Sequence, residues 1–262
     1  MKEGTASLTC VVITKNEEAN IQDCLASVAW AAERVVVDAE SSDRTAELAR
    51  AAGAKVIVRS WPGFGAQKNY AMDLVSAEWI LIVDADERVP APLQAEILFR
   101  IAAWKAGDPV AFEIPRKNYF YGAWVRYAGV YPDYQIRLFR RGCASYNDVP
   151  VHENLIVNGT VGKLSSPLEH HTERRIRDHF RKFGLYTTLA AREKSASVRR
   201  VGIEDLMIRP LVVFVKTYAL KQGFRDGVRG LIVSVFASMY TFVKYAKVWH
   251  MIQVARGEAY ER

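Results

Sequence analysis

The chain has 262 residues, half of them hydrophobic, with 36 Lys/Arg against 29 Asp/Glu and a net charge of +7. That length and apolar content suffice for one large domain, or a domain with a substantial appendage, and they exclude a disordered or fibrous chain. The charge is uneven: residues 1–173 hold 18 Lys/Arg and 22 Asp/Glu, whereas 174–262 hold 18 and 7, a basic appendage of the kind that meets anionic lipid or nucleic acid.

In chain order, LTCVVIT at 8–14 is a short β-rich apolar run, and 16–30 follows with helical spacing, Ile21, Leu25 and Val28 sharing a face. RVVVD at 34–38 reads as a second buried strand, 42–52 as a helix closed by Gly53, 55–59 as a third strand, 64–74 as a helix and WILIV at 79–83 as a fourth strand. This alternation predicts an α/β fold with a mostly parallel, doubly wound sheet, whose ligands belong at the carboxyl ends of the strands. A further amphipathic helix is expected over 91–107. Residues 110–157, rich in aromatics and Gly, read as strands and loops, and from about 174 the pattern turns to helices dense in Arg and Lys. The expected division is therefore 1–173 and 174–262, with a soft boundary.

Several polar clusters fall at those strand ends. WILIVDADE carries Asp84 and Asp86 two residues apart. In an extended segment they point the same way, and two converging hard oxygens suit Mg²⁺ or Mn²⁺ bridging to phosphates; a solvated acidic turn is the alternative. Thr14-Lys15-Asn16-Glu17 ends the first strand, where a nucleotide commonly binds, although Asn16 can equally cap the next helix. Asp38 ends the second strand and can accept from a base or ribose, or merely be solvated beside the cap residues Ser42 and Asp43. Gly63-Phe64-Gly65 opens a helix with Gln67, Lys68 and Asn69 in its first turns, and a helix N-terminus with a Lys attracts phosphate. Asp148 and Val149-Pro150-Val151-His152-Glu153 offer a carboxylate for general-base work. His170-His171 offers a metal or pyrophosphate contact without HExxH spacing, or a structural pair. GxGxxG and GxxxxGK[ST] are both absent, against a dinucleotide dehydrogenase or a P-loop enzyme.

Taken together, VVITKNEEANIQDCL, VVVDAESSDRTAELARAAGAKV, GFGAQKNYA and WILIVDADE resemble the N-terminal signature of family 2 glycosyltransferases with the GT-A fold. RKNYFYGAWVRYAGVYPDYQIRLFRRG, DVPVHE, YTTLAA and the stretch from RPLVVF to KYAKVW are similar to lipopolysaccharide-core β-1,4-glucosyltransferases of the WaaE/KdtX type, so the resemblance spans about 8–250. It implies inverting transfer of a hexose, glucose from UDP-glucose, onto an inner-core heptose of a lipid-linked acceptor. It implies a divalent ion on Asp84 and Asp86 with His170 preferred over His171, and nucleotide-sugar contacts from Thr14, Asn16, Glu17, Asp38, Gln67, Lys68, Asn69 and Asp84. Glu153 is the implied base, with Asp148 and Asp133 in reserve. Ala39-Glu40 departs from the small residues usual at that place in relatives. A family 2 enzyme with another lipid-linked glycan or protein acceptor is the first alternative; a non-catalytic membrane or nucleic-acid binding protein is the second. The paired carboxylates and missing RNA-binding motifs argue against nucleic acid.

The tail adds GLIVSVFASMYTFV at 230–243, uncharged but only 14 residues long, short of the ~20 needed to span a bilayer, with Ser234, Ser238 and Thr241 forming one narrow polar stripe. Together with LVVFV at 211–215 and Lys221, Arg225, Arg229, Lys244 and Lys247, it suggests helices lying in a membrane interface, a buried helix being the alternative. Cys10, Cys24 and Cys143 match no metal or redox spacing, and no N-terminal signal peptide is evident. The expected location is thus peripheral, at the cytoplasmic face of the inner membrane.

Overall fold

The computed structural model describes residues 7–147, 154–173 and 176–256. Their described parts cluster into two units, Met1–Lys117 with Asp133–Thr172, and Asn118–Pro132 with Glu173–Arg262.

The first unit opens with strand β1 (Leu8–Thr14), helix α1 (Ile21–Ser27), β2 (Glu33–Asp38), α2 (Thr45–Ala51), β3 (Lys55–Val58), α3 (Phe64–Asp73) and β4 (Trp79–Asp84). Side chains alternate faces along a strand, and both central strands use the two faces equally. Cys10 and Val12 of β1 and Trp79, Leu81 and Val83 of β4 pack on one side, with Ile21 and Leu25 of α1. Val11, Ile13, Ile80 and Ile82 pack on the other, with Ala71 and Met72 of α3. A strand buried on both faces must be apolar throughout, and β1 is buried at every position. Cys10 and Cys24 are free and buried, and burial pushes both thiols up, which leaves them as small core residues.

Next come β5 (Glu87–Arg88), α4 (Ala91–Ala102), β6 (Ala111–Phe120), β7 (Ala123–Trp124), β8 (Asp133–Arg140), β9 (Ala144–Tyr146), β10 (Leu155–Val157), β11 (Val161–Lys163) and β12 (Leu168–Glu173). The main sheet runs β3-β2-β1-β4-β8-β6-β12-β5. Its first four strands are parallel, as the alternating pattern predicts. From β8 onward the pairings along that order include antiparallel ones, β4 with β8, β8 with β6 and β12 with β5. The sheet is therefore mixed, a GT-A-like sheet flanked by helices, rather than mostly parallel throughout. The order reverses between β1 and β4, which opens a crevice at their carboxyl ends.

Local chemistry also trims two expected helices. The run 16–30 becomes helical only at Ile21, because Asn16 sits in the left-handed region (φ 54°) and Asn16–Glu18 bond across to Ser41–Thr45 instead. The run 91–107 stops at Ala102, before the Lys105–Asp108 turn in which the Lys105 amide donates to the Asp108 carboxylate.

The second unit contains the β6–β7 tip and three principal helices: α5 (Ile176–Ser195), α6 (Arg209–Val215) and α7 (Gly227–Ala255), with short π- and 3-10-helical turns before α6 and α7. The 14-residue uncharged run lies inside a 29-residue helix, and Gly223–Ala255 is long and apolar enough to cross a membrane by length and composition. Over its first half the packing is inverted relative to a soluble helix, whereas Tyr245 and Val248 further along are buried in an apolar cluster. The polar stripe faces inward: Ser234 is buried and Ser238 donates to the Pro210 carbonyl at 2.8 Å. Gly230 lies against the Gly223 carbonyl so closely that no Cβ fits there. Outward point Val228, Leu231, Val235, Met239, Phe242 and Trp249, with Val228 73% exposed.

Candidate functional site

Strand register brings the carboxyl-end residues together. Thr14 of β1 is paired with Asp38 of β2, and Ile13 with Asp84 of β4. Three positions far apart in sequence thus share one edge of the sheet. Asp38 is almost fully buried; its carboxylate accepts from the Ser41 amide at 2.9 Å and from the Ser41 hydroxyl. Asn16 is not the cap of α1. Its Oδ1 accepts from the Ser42 amide at 2.8 Å, while its own amide donates to Ser41 Oγ at 2.8 Å. The Glu17 amide donates to Thr45 Oγ1 at 2.8 Å, and its carboxylate accepts from Asn20 at 2.7 Å. Asp43 binds the other side of this loop; against the opposing effect of burial, hydrogen bonds from Thr45 and Glu18 hold its carboxyl below the usual range. The loops after β1 and β2 are therefore one stitched surface, and Glu40 within it is exposed with φ 54°, a conformation that favours small residues.

The acidic turn after β4 divides its carboxylates between two tasks. Asp84 accepts from the Arg137 guanidinium, and its amide donates to Glu87 at 2.9 Å. Burial disfavours the charge on Asp84, but Arg137, Lys68 and His170 outweigh it and hold the carboxyl well below the usual carboxylate range. Asp86 turns instead toward β12, where its Oδ2 lies 3.5 Å from His170 Nε2 and its carbonyl accepts from the His171 amide at 2.9 Å. His171 extends toward Glu169, at 3.8 Å, so the two histidines separate as strand alternation requires. The Asp86 carboxylate is a hard oxygen ligand for a divalent ion, and the His170 imidazole beside it a borderline nitrogen one. Among the described residues no group of three or more His, Cys, Asp or Glu converges as a metal cage.

Glu87 and Arg137 are missing from the sequence-level expectations and hold this turn in place. Glu87 is fully buried and accepts from Arg137 at 2.7 Å and from Arg116 at 3.3 Å. Arg137, buried on β8, is raised well above its ordinary pKa: burial opposes its charge, and Asp84 and Glu87 more than compensate. Arg88 braces the same turn by donating to the carbonyls of Ala85 and Glu87, at 3.0 and 2.8 Å. The available signal was one Arg within the apolar run Ile136–Phe139 and a third acid directly after Asp-Ala-Asp.

Beside Asp84 opens a polar cavity of about 440 Å³, lined among others by Lys68, Arg116, Tyr134, Arg137, Tyr146 and Asn154. Helix α3 supplies Lys68, whose ammonium lies 4.8 Å from the Tyr146 ring centre. Gly65 lets α3 approach the Asn147 carbonyl, which a Cβ would meet at 2.5 Å. Asn69 spends its amide on the backbone of Tyr146, with both bonds at 2.8 Å, and so positions β9 rather than facing the cavity. Gln67 Oε1 and Nε2 and Thr14 Oγ1 are buried with no hydrogen-bond partner among the described residues. Asp133 is already engaged by Arg116 and Gln135. Glu153 and Asp148 lie outside the described residues; the cavity wall includes Asn154, next to Glu153 in sequence.

The sequence model of Glycosyl transferase family 2 matches residues 9–148. The chain is similar to the lipopolysaccharide core biosynthesis glycosyltransferase LpsC of Rhizobium meliloti, 29% identical with 92% of each chain covered. It is also similar to an uncharacterised glycosyltransferase of Rickettsia typhi, 27% identical over 92% of this chain and 86% of that one. Among solved structures, glucosyl-3-phosphoglycerate synthase from Mycobacterium tuberculosis aligns over 43% of each chain at 23% identity, with a TM-score of 0.34. The matched stretch carries β1, β2, β4 and the acidic turn just described, and the chain belongs to the family 2 glycosyltransferases.

Proposed function

We propose that the protein transfers a hexose, glucose from UDP-glucose, with inversion onto an inner-core heptose of a lipid-linked lipopolysaccharide acceptor at an anionic membrane surface. The observation that carries this reading is the shared edge of Thr14, Asp38 and Asp84, with the Asp86–His170 pair beside it and the cationic cavity of Lys68, Arg116 and Arg137 in front. Asp38 and the stitched loop at Asn16 and Glu17 suit a nucleoside, and Gln67 and Lys68 suit the donor's sugar and phosphates.

Asp86 and His170 would hold Mg²⁺ or Mn²⁺, which when bound offsets charge on the leaving diphosphate. Asp84 stays ionised between Arg137 and Lys68, orienting both cations toward the cavity. Lys68 adds a fixed positive charge where the leaving group becomes more negative. Glu153 takes the proton from the attacking heptose hydroxyl, which displaces UDP in line from the opposite face; Asp148 is the reserve base, because Asp133 is tied to Arg116.

The acceptor reading is supported by the similarity to LpsC and by the second unit's inverted packing. Outward apolar side chains on α7, with Leu211 at 61% and Leu220 at 75% exposure nearby, make a patch of the kind that marks an interaction surface. Arg209, Lys221, Arg225 and Arg229 lie in the same stretch of chain and suit anionic headgroups. The domain assignment that follows is a transferase domain at 1–173 and a membrane-facing, acceptor-presenting region at 174–262.

A panel of UDP-, GDP- and dTDP-sugars against heptose-containing core acceptors, read by mass spectrometry, tests the proposal. One hexose added from UDP-glucose is the expected result. Transfer only from a GDP- or dTDP-sugar overturns the donor, and transfer only to heptose-free acceptors overturns the acceptor.

A further inference from the structure

The second unit contains a cavity of its own, lined by none of the residues assigned to the sugar nucleotide. Helices α5 and α7 pack together, and next to the β6–β7 tip they leave a space of about 280 Å³. Phe120 and Tyr121 come from the hairpin, Phe183 from α5, and Phe236 and Tyr240 from α7. The rings form one connected wall: Phe183 meets Tyr240 edge-on at 5.8 Å, and Phe236 stacks on His179 at 4.3 Å. The Tyr240 hydroxyl is already donated to the Tyr186 carbonyl at 3.2 Å, leaving its ring as the surface that faces the space.

Water occupies a cavity when two to four polar groups receive it, and a wall of aromatic rings instead favours an apolar guest. The hairpin supports a ligand-directed reading. Tyr121 occupies the first position of a two-residue turn at φ 52°, followed by Gly122 at φ 80°. Such turns favour Asn, Asp or Gly at both places. A bulky aromatic is uncommon in that conformation, and the Tyr121 side chain lies on the cavity wall.

Charge and continuity identify the guest. Arg229 lies one helical turn before Val233, another wall residue, and Lys244 one turn after Tyr240. Burial lowers the pKa of Lys244 most, and Lys194 and Arg209 add to the shift while Glu193 opposes it, so cations outnumber acids around this end of the helix. An anionic headgroup complements that excess of positive charge. On the same helix, Val228, Leu231, Val235 and Met239 form an exposed apolar stripe.

We infer that this cavity holds a single acyl chain of an anionic phospholipid drawn from the bilayer, its headgroup meeting the cations of α7. The inference does not depend on which sugar or acceptor the enzyme uses. The test uses the full-length protein without sugar nucleotide, mixed with phosphatidylglycerol vesicles carrying a diazirine near the chain end, irradiated and mapped by peptide mass spectrometry. Labelling on Phe120–Tyr121 and on 233–240, competed by unlabelled phosphatidylglycerol, is expected. Ala237→Phe and Val233→Phe, which fill the space, should each lower that labelling at least tenfold while donor hydrolysis is unchanged. Labelling confined to Leu211, Val228 or Leu231 would mean surface contact alone and overturn the inference. Labelling of the cavity by a diazirine fatty acid but not by the phospholipid would overturn the choice of guest. Both readings come from the unmutated protein, so they stand even if a filling variant does not fold.

Discussion

In the first unit the charged groups Glu87 and Arg137 lie inside, within hydrogen-bonding distance of each other, and α1, α3 and α4 turn their apolar faces to the sheet. In the second unit the first half of the longest helix does the reverse, burying Gly230 and Ser234 and exposing Val228, Leu231 and Val235. A buried ion pair stabilises only when both partners are present, because each alone carries the full cost of leaving water. An exposed apolar stripe contributes nothing to folding in water and gains only when something covers it. The two regions are thus sensitive to opposite substitutions: the first to loss of a charge, the second to gain of one.

The sharpest way to break the comparison is at the acidic turn. Asp86→Ala should lower turnover by about a thousandfold or more, the loss of several kcal/mol of charge stabilisation, with the circular dichroism spectrum unchanged. Near-normal turnover would remove Asp86 from the proposed metal site. Glu153→Gln should leave donor binding intact and lower the transfer rate by roughly 10²–10⁴-fold, the range of general-base assistance; full activity would pass the role to Asp148.

A stability effect comes next. Arg137→Met leaves Asp84 and Glu87 without their shared cation, and should cost about 3–5 kcal/mol by urea denaturation. Adding Glu87→Leu to the same chain should restore much of that loss without restoring activity, because an apolar pair can occupy the space of an ion pair but cannot orient Asp84. If the double variant were no more stable than the single one, Glu87 would owe its position to Arg116 rather than Arg137.

Much of the first unit was legible because its physics is local. A strand buried on both faces has to be a continuous apolar run, so Leu8–Thr14 and Trp79–Asp84 announced themselves, and the acids had to follow where the strand left the core. Cooperation across distance was not legible. Glu87 meets Arg137 fifty positions away, and Asn69 bonds the backbone of Tyr146 across 77, pairings that no local pattern encodes. The switch to antiparallel pairing at β8 was hidden for the same reason: strand direction is decided by the connection, and the aromatic, Gly-rich stretch gave no helical crossover to read. In the tail, the Ser234–Ser238–Thr241 stripe was visible, but not that it faces inward, since periodicity gives a stripe's width and not which side meets protein.

Smaller effects test the second unit. Leu211→Ser with Leu231→Ser should weaken binding to anionic vesicles by tenfold or more, since each exposed leucine offers up to about 1.5–3 kcal/mol when covered, while the melting temperature in water hardly moves. Unfolding of this variant in the absence of vesicles would mean those leucines are covered within the protein itself. Raising salt should weaken the same binding, as each Lys or Arg at the surface gives about 1 kcal/mol that screening removes.

The smallest expected effect is a pH dependence confined to the acid side. The folded-state pKa of Asp84 lies below its unfolded value, because Arg137, Lys68 and His170 prevail over burial. Its contribution to stability is therefore fully present above the unfolded carboxylate value of about 3.9 and is lost only as pH falls through the lower folded value. Asp84→Asn should remove that acid-side loss and leave the shape of the stability curve above pH 5 unchanged. If the stability of the unmutated protein instead rose as pH fell from 7 to 5 and Asp84→Asn abolished the rise, Asp84 would be a carboxyl that burial, not Arg137, controls, and the charged interior ascribed to the first unit would be wrong at its centre.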